Sequence, residues 1–266
     1  MMDCRKIAYD LHSEQTSLDE IVSRLTGEQW QLPTPSPGWT ISDQIAHLTY
    51  FDCSAALAIN NPADFAHDVE MLWAAVLDGD SAVDELTLGP LRALPSEELL
   101  EEWREGRRLL ASAAATLTDT HRVDWYGPSM GARSFLTARL METWAHGQDV
   151  VDALGLNRPG TDRLLHVVQL GHITRGWSYS NRGLQPPAGE VRLTLAAPSG
   201  GIWTFGESDA SEHISGEALD FCLVVTQRRH LDDTALECTP GAREWLLIAQ
   251  AFAGPATDGP AVGTRL

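Results

Sequence analysis

The sequence predicts an α+β protein in two parts, a larger helical domain over residues 1–185 and a small α+β domain over residues 186–266. Two observations predict it. Apolar residues recur at helical intervals through most of the first 180 positions, and the period drops to two just after a break at 183–189 that contains Pro186 and Pro187. Helical and strand-bearing segments that follow one another rather than alternate define this class. With 43% hydrophobic residues in 266, either part has enough apolar side chains for a core of its own.

The elements follow in order. In residues 6–25, Ile7, Leu11, Leu18, Ile21, Val22 and Leu25 recur among charged positions, the pattern of an amphipathic helix. Pro33, Pro35, Pro37 and Gly38 end it and fix a loop. Thr40-Ile41-Ser42-Asp43 then supplies helix-starting side chains, and Ile41, Ile45, Leu48 and the apolar run 51–59 carry a helix to Asn60-Asn61-Pro62, with His47 in its second turn. Helical runs are expected over 64–76 and 96–117, the latter opened by Ser96-Glu97-Glu98-Leu99. The segment 127–131 is a break. Residues 132–154 read as one long helix, stopped by Gly155, and 164–179 as another.

Beyond the break, Val191, Leu193 and Leu195 alternate with Arg192, Thr194 and Ala196. Ser199-Gly200-Gly201 is a hairpin-type turn, and 202–205 reads as the returning strand. Helical runs over 216–228 and 243–252 complete the chain, which shows no internal repeat.

A formal charge of -18 without a Lys/Arg cluster repels phosphate backbones and anionic headgroups, so neither nucleic acid nor a membrane surface is expected as a partner. The first residues mix charges with single apolar side chains, unlike a signal peptide, and no later stretch has the length of a membrane span. A cytoplasmic protein is expected. Cys4, Cys53, Cys222 and Cys238 lack CxxC spacing and read as small buried hydrophobes.

Glu142 and His146 are four apart on the long helix, within about 6 Å of each other on one face. His47 lies on another helix, and bundles build metal sites from such inward-facing side chains. Two histidines and a carboxylate suit Zn²⁺ and leave positions open for water or substrate, while iron, nickel or manganese fit the same donors. Spacing alone leaves open a surface Glu–His pair and a core histidine.

Around these residues, Asp43 and Asp149 either orient the histidine rings or serve as a helix N-terminal residue and a solvated one. Tyr50 and Ser54 lie nearer the ligand face than Cys53. His166, His172 and Arg175 share a helix, and Arg175 with Tyr179 forms an i,i+4 pair that either binds a cofactor or substrate carboxylate or makes a structural salt bridge.

The segment Pro35-Ser36-Pro37-Gly38-Trp39-Thr40-Ile41-Ser42-Asp43-Gln44-Ile45-Ala46-His47-Leu48 resembles the P-G-W-x-x-x-D-x-x-x-H-L opening of the mycothiol-dependent maleylpyruvate isomerase family, within the DinB-like metalloprotein superfamily. The segment from Thr137 to Val150 is similar to that family's second signature. The resemblance implies a DinB-like up-down-down-up four-helix bundle, with His47, Glu142 and His146 as metal ligands at one end. It also implies a sterol-carrier-like C-terminal domain and mycothiol as thiol cosubstrate. The implied partner is a small-molecule electrophile, the implied activity that of an S-transferase or cis-trans isomerase. It implies, too, a catalytic arginine in the stretch Thr226-Gln227-Arg228-Arg229, where Gln227 stands at a position that relatives often fill with glycine. Arg228 is favoured over Arg229. A metal-activated hydrolase or lyase and a non-catalytic small-ligand or lipid binder remain open, as do monomer and homodimer.

Overall fold

The structure is a computed structural model of the chain and describes residues 3–265. Contacts divide the chain into two compact units, the first ending at Leu156 and the second beginning at Asn157.

The first unit is helical. Its elements are α1 (Cys4–Val22), α2 (Gly27–Trp30), α3 (Ile41–Asn60), α4 (Pro62–Asp78), α5 (Asp80–Thr87), α6 (Gly89–Arg92), α7 (Ser96–Ala114), a hairpin of β1 (Arg122–Val123) and β2 (Met130–Gly131), and α8 (Ala132–Ala153). Helix α3 packs on α7 and α8, and α1 on α8 and α7. Ile41, Ile45 and Leu48 of α3 meet Leu18, Val22, Leu99, Trp103 and Val150 in a dry core, because their spacing lines one face of the helix. Polar groups reinforce these contacts: Arg104 and Arg107 of α7 both donate to Asp19 of α1. Helix α8 differs in kind. It buries residues on every face, and these include Arg139, Thr143, His146, Gln148 and Asp149. Buried polar groups are costly unless they are paired, so a helix carrying this many is committed to specific partners.

The second unit holds α9 (Leu164–Ile173), α10 (Arg175–Ser180), β3 (Val191–Ala196), β4 (Ile202–Phe205), β5 (Glu212–Glu217), α11 (Ala218–Val225), a 3-10 turn (Leu231–Asp233), β6 (Glu237–Cys238) and α12 (Pro240–Leu246). The sheet order is β4-β3-β5-β6, with β3 antiparallel to β4 and parallel to β5. Val191, Leu193 and Leu195 point into the core, as their alternation predicts. Helix α9 packs on α11 where Gly171 lies against Val225 and Phe221; an added Cβ would come within 2.8 Å of Val225. Among the described residues no helix is long and apolar enough to cross a membrane.

The expected class, helical first and sheet-bearing second, is observed. Helix α9 takes its packing partner from α11, within the compact unit that begins at Asn157. The helix expected over 164–179 breaks at Thr174, whose hydroxyl donates to Leu170 O and competes with the helical ladder. Strand β5 was not expected, since only Ile214 of its residues is buried, and it takes up the start of the helix expected from 216. The last helix lies at Pro240–Leu246, with proline in its first turn, rather than over 243–252.

Candidate metal centre

The loop before α3 is shaped by a few residues. Gly38 takes φ 78°, in the left-handed region, and closes a turn in which Trp39 N–H donates to Ser36 O. The carbonyl of Trp39 then accepts from both Thr34 N–H and Thr34 Oγ1. Thr40 and Asp43 cap each other across the first turn of α3. The backbone is thereby fixed one turn ahead of His47.

From α3 and α8 three side chains converge. Ligand atoms of His47, Glu142 and His146 all lie within 4.8 Å of one another. His47 Nε2 is 3.6 Å and His146 Nε2 3.1 Å from the same oxygen, Glu142 Oε2. Donors about 2.1 Å from one tetrahedral ion would stand roughly 3.4 Å apart, so the separations fit a shared cation. Rings pack around the histidines. The Trp39 ring lies 6.0 Å from His146 and nearly parallel to it, and Phe51 lies 4.6 Å from His47. Trp125 and Tyr126, between β1 and β2, extend the aromatic cluster outward from Phe51.

Electrostatics favour the ligating forms. Burial and the adjacent His146 push His47 down to about 4, against the pull of Glu142, so its ring is neutral at neutral pH. Burial alone would raise Glu142, but the adjacent His146 and His47 outweigh it and hold the carboxyl well below its usual range. The cluster thus presents a neutral His47 imidazole and a carboxylate beside His146.

Asp43 and Asp149, read either as ring-orienting or as helix-terminal and solvated, differ from each other. Asp43 caps α3 and pairs with Arg92 at 2.5 Å, the helix-terminal alternative. Asp149 is not solvated: it is fully buried and accepts from Ser36 Oγ at 3.1 Å, tying the loop to α8. The group at the second nitrogen of His146 is Gln44, whose Oε1 lies 2.5 Å from Nδ1. Its place three residues before His47, on the same face of α3, is the one signal of it in the sequence. Ser54 accepts from Tyr126 Oη, Tyr50 packs edge-on to Phe51, and Cys53 lies beside Gly106 of α7.

In the second unit, Arg175 donates to the carbonyls of Gly189 and Pro187 and lies over the Tyr179 ring at 5.8 Å. Its Nε and Tyr179 Oη are buried donors without an acceptor among the described residues. His172 is held below its usual pKa by burial, and its Nε2 lies 3.3 Å from Val191 O. Arg228 donates to Thr226 O, and Arg229 to Arg228 O.

The helical unit gathers two histidines and a glutamate from two helices into a cluster that could hold a metal ion. The family model for the mycothiol maleylpyruvate isomerase N-terminal domain matches residues 11–151, which include all three residues of the cluster, and the chain belongs to this family. The Mycobacterium tuberculosis protein Rv0036c, itself described as uncharacterized, is 43% identical over 256 residues, covering 96% of this chain and 98% of its own. A crystal structure of the mycothiol-dependent maleylpyruvate isomerase superposes with TM-score 0.58 at 17% identity, covering 90% of this chain and 94% of that one, and a histidine-to-alanine mutant of it matches equally. At that identity the likeness concerns the fold.

Proposed function

We propose that this protein is a metal-dependent enzyme that turns a low-molecular-weight thiol, mycothiol, on a small electrophile, as an S-transferase or a cis-trans isomerase. The observation that carries the reading is the convergence of His47, Glu142 and His146 inside the segment matched by the family model. On the same reading α1, α3, α7 and α8 form the DinB-like four-helix bundle, and the sheet-bearing part is the sterol-carrier-like domain.

A divalent ion held by the three side chains, with Zn²⁺ the first choice for two imidazoles and a carboxylate, supplies the positive charge that keeps a bound thiol deprotonated near neutral pH. Glu142, ionised at neutral pH, provides the one negative charge of the cluster, and neutral His47 provides a lone pair without a proton to displace. The chain's own thiols are poor nucleophiles. Desolvation and nearby carboxylates push Cys4 and Cys53 up to about 11, and burial raises Cys222 and Cys238. An external thiol therefore fits the site better than an internal one.

Arg175 and Tyr179 are proposed to hold an anionic group of the thiol or substrate, a role supported by their buried donors without acceptors. Arg228, with Arg229 beside it, is proposed to act on the substrate, as the family resemblance implies. The test combines metal analysis of the purified protein with turnover of maleylpyruvate and other electrophiles, with and without mycothiol. We expect one divalent ion per chain, lost in His47→Ala, and turnover only with thiol. Turnover indifferent to thiol would identify a metal-activated hydrolase or lyase. Absence of a stoichiometric ion, with His47→Ala behaving as the wild type, would leave a non-catalytic small-ligand binder.

A further inference from the structure

We propose that Gln44 is the positioning residue that fixes the tautomer of His146 and so turns its Nε2 lone pair toward Glu142 and His47. The inference rests on the reading of those three residues as metal ligands.

One chain of hydrogen bonds runs from the Trp39 carbonyl to His146. Thr34 has a single hydroxyl hydrogen, and Oγ1 lies 2.9 Å from the Trp39 carbonyl, which has no hydrogen to give. The hydroxyl therefore donates to that carbonyl and is left as an acceptor on its other side. There it meets Gln44 Nε2 at 2.9 Å. This sets the amide the one way round that keeps the Thr34 hydroxyl on the Trp39 carbonyl: nitrogen toward Thr34, oxygen toward His146. Gln44 Oε1 accepts, so His146 Nδ1, 2.5 Å away, carries the hydrogen. With Nδ1 carrying the hydrogen, Nε2 is the nitrogen left to give a lone pair to a cation shared with Glu142, whose Oε2 lies 3.1 Å away.

Gln44 is fully buried, so water does not substitute for it. The opposite amide orientation would leave the Thr34 hydroxyl without its carbonyl partner and place a hydrogen on Nε2, facing the cation. The Pro-Gly-Trp turn thus reaches the ligand through hydrogen bonds as well as through the Trp39 ring: Gly38 sets the turn, Trp39 O orients Thr34, Thr34 orients Gln44, and Gln44 orients His146. Partners of this kind behind a ligating histidine typically contribute 10–100-fold in metal affinity.

The test measures Zn²⁺ affinity by chelator competition in wild type, Gln44→Leu and Gln44→Glu, with circular dichroism and a thermal melt to confirm folding. Gln44→Leu removes the acceptor at nearly constant volume and is expected to weaken Zn²⁺ binding about 10–100-fold. Gln44→Glu keeps an acceptor at the same reach and is expected to bind within a few-fold of wild type or tighter. If Gln44→Leu fails to fold, Gln44→Glu and the histidine spectrum decide. In ¹⁵N-histidine-labelled, Zn²⁺-loaded wild type the His146 Nδ1 should carry a slowly exchanging proton, retained in Gln44→Glu. An unprotonated Nδ1, or wild-type affinity in Gln44→Leu, would overturn the inference while leaving the metal site standing. Failure of the wild type itself to bind Zn²⁺ would instead overturn the proposed function.

Discussion

Among the described residues Gln227 is the one non-glycine with a positive φ, 59°. It follows the last turn of α11, where Arg228 N–H donates to Leu223 O and Gln227 N–H to Val224 O, the pattern of a helix closed by a left-handed residue. That position favours glycine. Its side chain compensates. Nε2 donates to Ala249 O and Thr257 O, and Oε1 accepts from Thr257 Oγ1 at 2.6 Å. Gln227→Ala should lose these bonds and keep the strain, costing about 1–3 kcal/mol, whereas Gln227→Gly should recover roughly 1 kcal/mol of that. Urea titrations giving Ala at least as stable as Gly would contradict this. The four cysteines supply a second prediction. Because every thiol is raised above its ordinary range, alkylation at pH 7 should be slow, and replacing all four by Ala or Ser should leave thiol-dependent turnover within a few-fold of wild type. A large loss of turnover on removing any one of them would make the nucleophile internal.

At the scale of elements, α3 and α8 must be held in register if residues from both are to share one ion. Asp52, five residues after His47, accepts from Arg139 Nη2 at 2.9 Å and from Gln15 Nε2 of α1, and Arg139 lies one turn before Glu142. Both members are buried, Asp52 completely and Arg139 to 4% exposure. Breaking such a pair strands a charge at a cost of about 3–5 kcal/mol, while replacing both partners by apolar groups recovers much of it. Asp52→Leu and Arg139→Met should each lower the unfolding free energy by that order and weaken metal binding. The double variant Asp52→Leu/Arg139→Met should regain stability. Strict additivity of the two single losses would show that the residues act independently. Much of this level was legible beforehand: the long helices emerged from apolar spacing and Thr40–Asp43 from its capping signature. The hairpin at Arg122–Val123 and Met130–Gly131, strand β5 and the break at Thr174 were not, because short, mostly polar segments carry no period and take their form from neighbours.

For the whole molecule, pH acts through groups that the fold moves from their ordinary values. The metal-free protein favours neutral His47, at about 4 against 6.5, so the unfolded chain binds the additional proton between these values. That stability is complete above pH 6.5 and declines as pH falls toward 4. Asp19 acts at lower pH. Burial would raise it, but hydrogen bonds from Arg104 and Arg107 hold it below 3.8, and its contribution is present above that pH and lost as pH falls through the depressed value. The Tm of metal-stripped protein should therefore decline first below about pH 6.5, a step that His47→Asn should flatten, and again below about 4. A constant Tm from pH 7 to 4.5 would contradict the first step.

The sequence by itself determined the class of fold and the long helices, and singled out His47, Glu142 and His146 as candidate ligands, since helical spacing and paired motifs are local properties written along the chain. The tertiary structure alone decided that α9 packs on α11, that Asp43 caps rather than orients a ring, that Asp149 is buried, and that Gln44 meets His146. The physical reason is distance along the chain. Gln44 and His146 are 102 positions apart, so the hydrogen bond that orients the ligand exists only once α3 and α8 have packed.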